Sequence, residues 1–223
     1  MVEKRADAGK LRSPRYRRWQ GHLLHPIDEA FMYFDDKGPV PEALRRLQRL
    51  LKQAGIEHLF IGATALQAHG FRRMTEDVDV CLRREDLERF RREFVGRDYQ
   101  PVEGRSRRFY DPENQVTLDV LIAGATAGDS SRQQRIKFPD PAEAELVANV
   151  PVPSLARLIE LKLVTWRVKD LADVIELIRR NNLDEKFAEQ LDPSVRSVYL
   201  QCYDHRVEED RYNPEVDDPP AES

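Results

Sequence analysis

Three carboxylates stand out by residue type and spacing. Asp77 and Asp79 sit two apart in the run Asp77–Leu82 (DVDVCL). A strand's period of two turns both acids to one face and Val78 and Val80 to the other. Side by side in an apolar strand, two carboxylates repel each other and lose hydration, a cost that a divalent cation between them offsets. Oxygen ligands of this kind suit Mg2+. A third acid, Asp119, stands alone in Val116–Ile122 (VTLDVLI) on the face of Thr117 and Leu121. It comes beside the pair if the two strands are neighbours. With 40 acids in 223 residues, about seven acidic-x-acidic triplets arise by chance, so the pair alone says little. The setting adds weight. Residues 59–61 read as a short apolar strand, Gly62-Ala63 as a turn, and 64–69 as a helix stopped by Gly70. Strand, glycine turn and helix start leave backbone N–H groups and a positive dipole end for a polyphosphate. Anion cradle, metal carboxylates and a third acid together describe phosphoryl or nucleotidyl transfer.

These residues resemble the polymerase-β-like nucleotidyltransferase superfamily, whose pattern is Gly-Gly or Gly-Ser, then Asp-x-Asp, then a single Asp on a later strand. The likeness is nearest to the minimal bacterial branch that includes abortive-infection-type nucleotidyltransferase toxins. Its His-Gly…Arg-x-Thr-x-Asp-hydrophobic-Asp run stands here as His69, Gly70, Arg73, Thr75, Asp77, Val78 and Asp79. A later run, LIELKLVTWRVKDLADVIELI, resembles the helical half of the same proteins, and the likeness covers about residues 42–181. It implies an α/β fold of α+β type: a mixed sheet with flanking helices plus a C-terminal helical module. It also implies a two-ion Mg2+ site on the catalytic Asp77, Asp79 and Asp119, an NTP donor, and an acceptor hydroxyl on a tRNA, a protein or a small molecule. Phosphate contacts fall to Gly62, Ala63, Thr64, Arg73 and Lys162, with Lys169 and Asp170 forming the nucleotide cleft. A toxin of this kind has an antitoxin partner. The chain departs from the pattern at Ala63, where the family has Gly or Ser. The backbone N–H is retained, but a hydroxyl hydrogen bond of about 1 kcal/mol is lost, with Thr64 the nearest substitute.

The elements that must position these groups follow from periodicity. Residues 41–54 read as an amphipathic helix with Leu44, Leu47 and Leu51 inward and Gly55 as its stop. Arg84–Phe94 is a second, with Leu87, Phe90 and Phe94 inward. Strands are expected at 99–102, 107–110 and Val116–Ile122, and weaker ones at 134–138 and 144–152. Ser154 is an N-cap candidate. In the helix it opens, Lys162 falls on the apolar stripe of Leu155, Leu158 and Ile159, where it either snorkels outward or reaches an anion in the cleft. A further helix follows Arg167, with Leu171, Val174, Ile175 and Ile178 inward and Asp170 and Asp173 on another face. Residues 183–191 and 193–207 read as more helices, and 28–34 as a short one. His69 reads as a helix C-terminal residue favoured by the dipole.

Composition sets the outer limits. A hydrophobic content of 40% with 34% charged residues describes a globular chain, and no apolar run approaches membrane length. Residues 1–37 form a basic extension, 38–150 the nucleotidyltransferase domain, 151–207 the helical module and 208–223 an acidic tail expected to be disordered. Residues 1–20 carry seven Lys/Arg against two acids, and Tyr16 and Trp19 interleave with arginines. Such a stretch either stacks on unpaired RNA bases or docks loosely on the domain. Cys81 and Cys202 lie far apart, which fits buried thiols and the cytoplasm. Two rivals to the enzyme remain: a nucleotide-sensing or partner-binding module of the same fold, and a nucleic-acid-binding accessory protein with a structural acidic cluster.

Overall fold

A computed structural model describes residues 17–20, 22–128 and 136–211. The basic residues 1–16, with Arg15 and Tyr16, and the acidic residues 212–223 lie outside the described residues. With them go the RNA contact and most of the tail read as disordered from residue 208; residues 208–211 instead complete a helix, Arg196–Arg211. In chain order the elements are β1 (Arg17–Trp19), β2 (His22–Leu24), α1 (Pro26–Phe34), α2 (Pro39–Gln53), β3 (Leu59–Phe60), α3 (Gly62–Ala68), β4 (Asp77–Leu82) and α4 (Arg84–Phe94). There follow β5 (Gln100–Val102), β6 (Arg105–Asp111), β7 (Val116–Ile122), β8 (Glu145–Val147), β9 (Val150–Val152), α5 (Leu155–Leu163), α6 (Val168–Arg180) and α7 (Arg196–Arg211).

The architecture is mixed α/β. Five strands lie in the order β3-β4-β7-β6-β5, with β4 and β7 parallel and the other pairs antiparallel. Alternation decides what each face does. On β7, Val116, Leu118, Val120 and Ile122 are buried while Thr117, Asp119 and Leu121 are only partly covered. The buried face joins Val78, Val80 and Leu82 of β4 in one continuous hydrophobic cluster with α2 and α4. Phe90 stands at its aromatic centre, with its ring 5.5, 5.3 and 5.2 Å from those of Phe94, Tyr99 and Phe109. The same cluster runs on into the helical module through Leu158, Ile159, Val174, Ile178 and Tyr199. The opposite face is thinner. There Leu59, Ile61 and Cys81 pack with Leu121, Ala123 and Phe138, which leaves room for the polar side chains of β4 and β7.

Several elements differ from the periodicity reading, each for a local reason. Residues 144–152 form a hairpin rather than one strand, because Ala148 and Asn149 both take positive φ (49° and 66°) in a two-residue turn, the geometry that matches strand twist. Residues 183–191 form a 3-10 helix, Glu185–Gln190, whose Asp184 side chain accepts from the Phe187 N–H at 3.2 Å. The helix at the glycine turn begins at Gly62 rather than at Thr64, and α2 begins at Pro39, where proline is preorganised for a first turn. β1 and β2 pair in a stretch that carries no clear periodicity. Cys81 and Cys202 are buried free thiols, and among the described residues no helix is long and apolar enough to cross a membrane.

Replacing Phe90 with Ala removes the ring on which three others converge. The variant is expected to lose about 3–5 kcal/mol of unfolding free energy, read as a lowered urea midpoint with an unchanged slope.

Candidate active site

Register brings the acids together. In the parallel pair β4–β7, Asp79 stands opposite Asp119 and Asp77 opposite Thr117. Neighbouring strands lie about 4.8 Å apart, and one carboxylate oxygen from each of Asp77, Asp79 and Asp119 falls within 4.8 Å of the others. They open onto a cavity of about 560 Å³ between the sheet and the helical module. Gly62 closes its floor at φ +60°, and a Cβ there would collide with the Asp79 carboxylate. A glycine is therefore required on two counts, left-handed backbone and close approach.

The three carboxylates are held differently. Asp77 accepts from the Thr75 hydroxyl at 2.5 Å. Asp119 accepts a fork of two bonds from Arg108, Nε and Nη2 each at 2.6 Å. No donor among the described residues meets the side chain of Asp79. Burial, followed by the charges of Asp77 and Asp119, pushes the Asp79 carboxyl up to about 7, against a smaller lowering by Lys162 and Lys169. A carboxylate that its surroundings resist ionising is one that a cation relieves. The donor set, all carboxylate oxygen, suits Mg2+ or Mn2+.

Across the cavity, a charge network fixes the helical module. Lys162 of α5 is buried and donates to Asp170 Oδ1 at 3.0 Å and to Asp173 Oδ2 at 2.7 Å. Asp170 also accepts from Thr165 at 2.6 Å and from Arg167 at 2.5 Å. Its burial raises its pKa, but these donors and the Lys162 charge outweigh that and hold it below the usual carboxylate range. Arg73, on the loop before β4, reaches Asp173 Oδ1 at 3.1 Å. The network thus ties the loop leading to Asp77 onto α6. Lys162 has two of its three donors engaged, and its stem faces the cavity together with Arg73, Arg167 and Lys169.

The structure brings Asp77, Asp79, Asp119, Gly62, Arg73, Lys162, Lys169 and Asp170 to one cavity. It does not bring the side chains of Ala63 and Thr64 there. Ala63 is buried, and Thr64 lines a separate groove with Leu44, Gln67 and Val147, because a helix that begins at Gly62 turns the next two residues away. Thr64 is therefore badly placed to replace the missing hydroxyl. His69 lies elsewhere too, its Nε2 2.8 Å from the Pro153 carbonyl. Sequence reasoning missed Arg108, Thr165 and Arg167 as site residues, and read Asp173 only as a helix-face acid. A lysine on the apolar stripe of α5, followed by two acids at i, i+3, carried a signal for the buried network, since a buried ammonium needs counter-charges. Nothing in the local pattern marks Arg108, whose place depends on pairing across the sheet.

The chain is similar to known proteins. A family model described as "Nucleotidyl transferase AbiEii toxin, Type IV TA system" matches residues 45–220. Two solved structures are similar at 16% identity and a TM-score of 0.43. One is the solution structure of the antibiotic-resistance factor ANT(2'')-Ia, over 74% of this chain and 95% of that one. The other is the crystal structure of ANT(2'')-Ia in complex with adenylyl-2''-tobramycin, over 73% and 97%. No curated protein sequence matches the chain.

With Asp79 protonating near 7 in the folded chain and near 4 when unfolded, the folded state holds its proton over the intervening range. Stability without metal then falls as pH rises from about 4 to 7 and levels off above. Asp79→Asn is expected to remove that slope and to melt roughly 8–16 °C above the parent chain at pH 8 in EDTA. Added Mn2+ should raise the melting temperature of the parent but not of the variant. Gly62→Ala, strained and pressed on Asp79, should lose about 2 kcal/mol or more in chemical denaturation.

Proposed function

The chain belongs to the AbiEii family of nucleotidyl transferase toxins of type IV toxin–antitoxin systems, and on that premise we propose that it moves an NMP from an NTP to a hydroxyl of an acceptor, with a divalent cation at the three aspartates. The observation that carries this reading is the convergence of Asp77, Asp79 and Asp119 from two neighbouring parallel strands on one cavity. Asp77, Asp79 and Asp119 would hold the cation, two ions in the full reading, and when bound it supplies charge neutralisation at the phosphates and polarisation of the reacting oxygens.

The chain's own residues supply the rest. Thr75 orients Asp77 through its hydroxyl. Gly62 lets the backbone approach Asp79 closely enough to shape the floor. Lys162, fixed by Asp170 and Asp173, presents a positive charge that cannot drift, which is what a triphosphate needs for alignment. Arg73, Arg167 and Lys169 surround the same cavity and suit the β- and γ-phosphates. The acceptor hydroxyl attacks the α-phosphorus, the bond to the bridging oxygen of the β-phosphate breaks, and pyrophosphate leaves. The hydroxyl proton passes to the Asp119 carboxylate, the acid at the open edge of the cluster. A tRNA end, a protein hydroxyl or a small alcohol meets the same chemistry. The family context supports an antitoxin partner, and dependence on NTP supports a cytoplasmic setting.

The test is label transfer. The full chain is incubated with each α-labelled NTP, Mg2+ and a cell extract, beside an Asp77→Ala/Asp79→Ala variant of confirmed fold. Label should move to an acceptor with the parent chain and fall by at least about 10³-fold, some 4 kcal/mol, in the variant. Nucleotide binding with no transfer by either protein would overturn the proposal.

A further inference from the structure

Arg108 occupies a carboxylate that the proposed cation would need. On β6 it stands directly opposite Asp119 of β7, and Asp119 stands opposite Asp79 of β4. Three adjacent strands therefore lay Arg108, Asp119 and Asp79 in one row. The guanidinium engages both oxygens of Asp119 at 2.6 Å. While it does so, Asp119 can neither take the acceptor proton nor give its full lone-pair set to a cation. The pair is nevertheless open to water, with side chains 44% and 24% exposed, so screening keeps it weak. Arg108 also borders two spaces. One is the cavity that holds Lys162 and Lys169, and the other is a groove of about 480 Å³ that runs past Gly104, Arg105 and Thr126. Its long side chain has somewhere to go in either direction.

Charge balance supplies the reason to move. Among the described residues, Asp119 alone of the three clustered carboxylates has a cationic partner, and that partner is Arg108. A divalent cation arriving alone competes with Arg108 for Asp119 and strands the guanidinium. An NTP arriving with the cation provides phosphate oxygens to which a guanidinium binds as a fork just as it does to a carboxylate. We infer that Arg108 is the stand-in counter-ion of the nucleotide-free site, and that it passes from Asp119 to the phosphates of the incoming NTP as a divalent cation takes its place. This rests on the nucleotidyl-transfer reading and adds to it a coupling: cation and nucleotide bind with positive cooperativity, and by linkage each strengthens the other equally. Arg108 is a positioning residue while it holds Asp119 and a phosphate ligand once it has passed to the NTP.

Mn2+ affinity, measured by electron paramagnetic resonance of the free ion, separates this from simple charge effects. The full chain is titrated alone and with each of the four α,β-methylene NTP analogues, and the Mn2+ taken up by each analogue without protein is measured separately and subtracted. For the parent chain, at least one analogue should tighten Mn2+ about tenfold. Arg108→Ala should bind Mn2+ about 3- to 10-fold more tightly than the parent without analogue, the scale of one exposed ion pair. Its response to the analogue should shrink to about threefold or less. Arg105→Ala, which removes a nearby charge that does not touch Asp119, should stay within about twofold of the parent in both measurements. Arg108→Lys, which retains charge but not the fork, should fall between parent and Arg108→Ala. If Arg108→Ala shows the parent's Mn2+ affinity and the parent's response to the analogue, the exchange is wrong while the nucleotidyl-transfer reading stands. If Arg105→Ala and Arg108→Ala tighten Mn2+ alike, the effect is a general field and the exchange is again wrong. Should the parent bind no Mn2+ with or without any analogue, the metal reading and the exchange fall together.

Discussion

Crowding of negative charge on two neighbouring parallel strands is the constraint around which the molecule is built. Asp79 and Asp119 occupy opposed positions in the β4–β7 register, and Asp77 lies one strand period away on the same face. At strand spacing, such carboxylates repel by an amount that bulk water would damp and a partly closed cavity does not. The chain answers with a hydroxyl on Asp77, a guanidinium on Asp119 and, for Asp79, a carboxyl that stays protonated to about 7. Each answer is reversible. A fold seeking stability alone would have used a permanent ion pair or an apolar side chain at these positions, and half-buried acidic clusters of this sort are otherwise a net cost.

The second organising interaction is the buried Lys162–Asp170–Asp173 network. As a source of stability it is ambiguous, because desolvating three charges offsets most of their attraction. As a positional device it is clear. Asp173 shares its two oxygens between Lys162 and Arg73, so one side chain of α6 fixes both the helical module's cation and the loop that delivers β4. The continuous hydrophobic cluster beneath, from Val78 to Ile178, prevents the two halves from sliding. Together they hold a cationic wall opposite an acidic one across a cavity of about 560 Å³, a spacing that suits a polyphosphate with its cation.

Much of this was legible in the chain itself. Period-two alternation in DVDVCL and VTLDVLI assigned both strands and the faces of all three aspartates, because a strand's side-chain direction is a local property. The apolar stripes of α2, α4 and α6 were equally plain, and Gly62 was marked as a turn. The turn's consequence was not legible. Whether the helix starts at Gly62 or two residues later decides where Thr64 points, and helix starts are set by packing and caps as much as by propensity.

What the sequence by itself determined, then, is the main strands and helices around the site and the faces of those strands, since these follow from short-range spacing; the family was a likeness of motifs. Only the tertiary structure decided which strands are neighbours and in what register. That choice sets Asp119 beside Asp79 and lays Arg108 across both oxygens of Asp119, while the packing of α6 on α5 brings Asp170 and Asp173 onto a lysine eight and eleven residues earlier. Arg108 and Asp119 are eleven residues apart in the chain, and no local pattern relates them. Their meeting depends on β6 turning back antiparallel on β7, an arrangement chosen by burial of the far face of the sheet rather than by either residue.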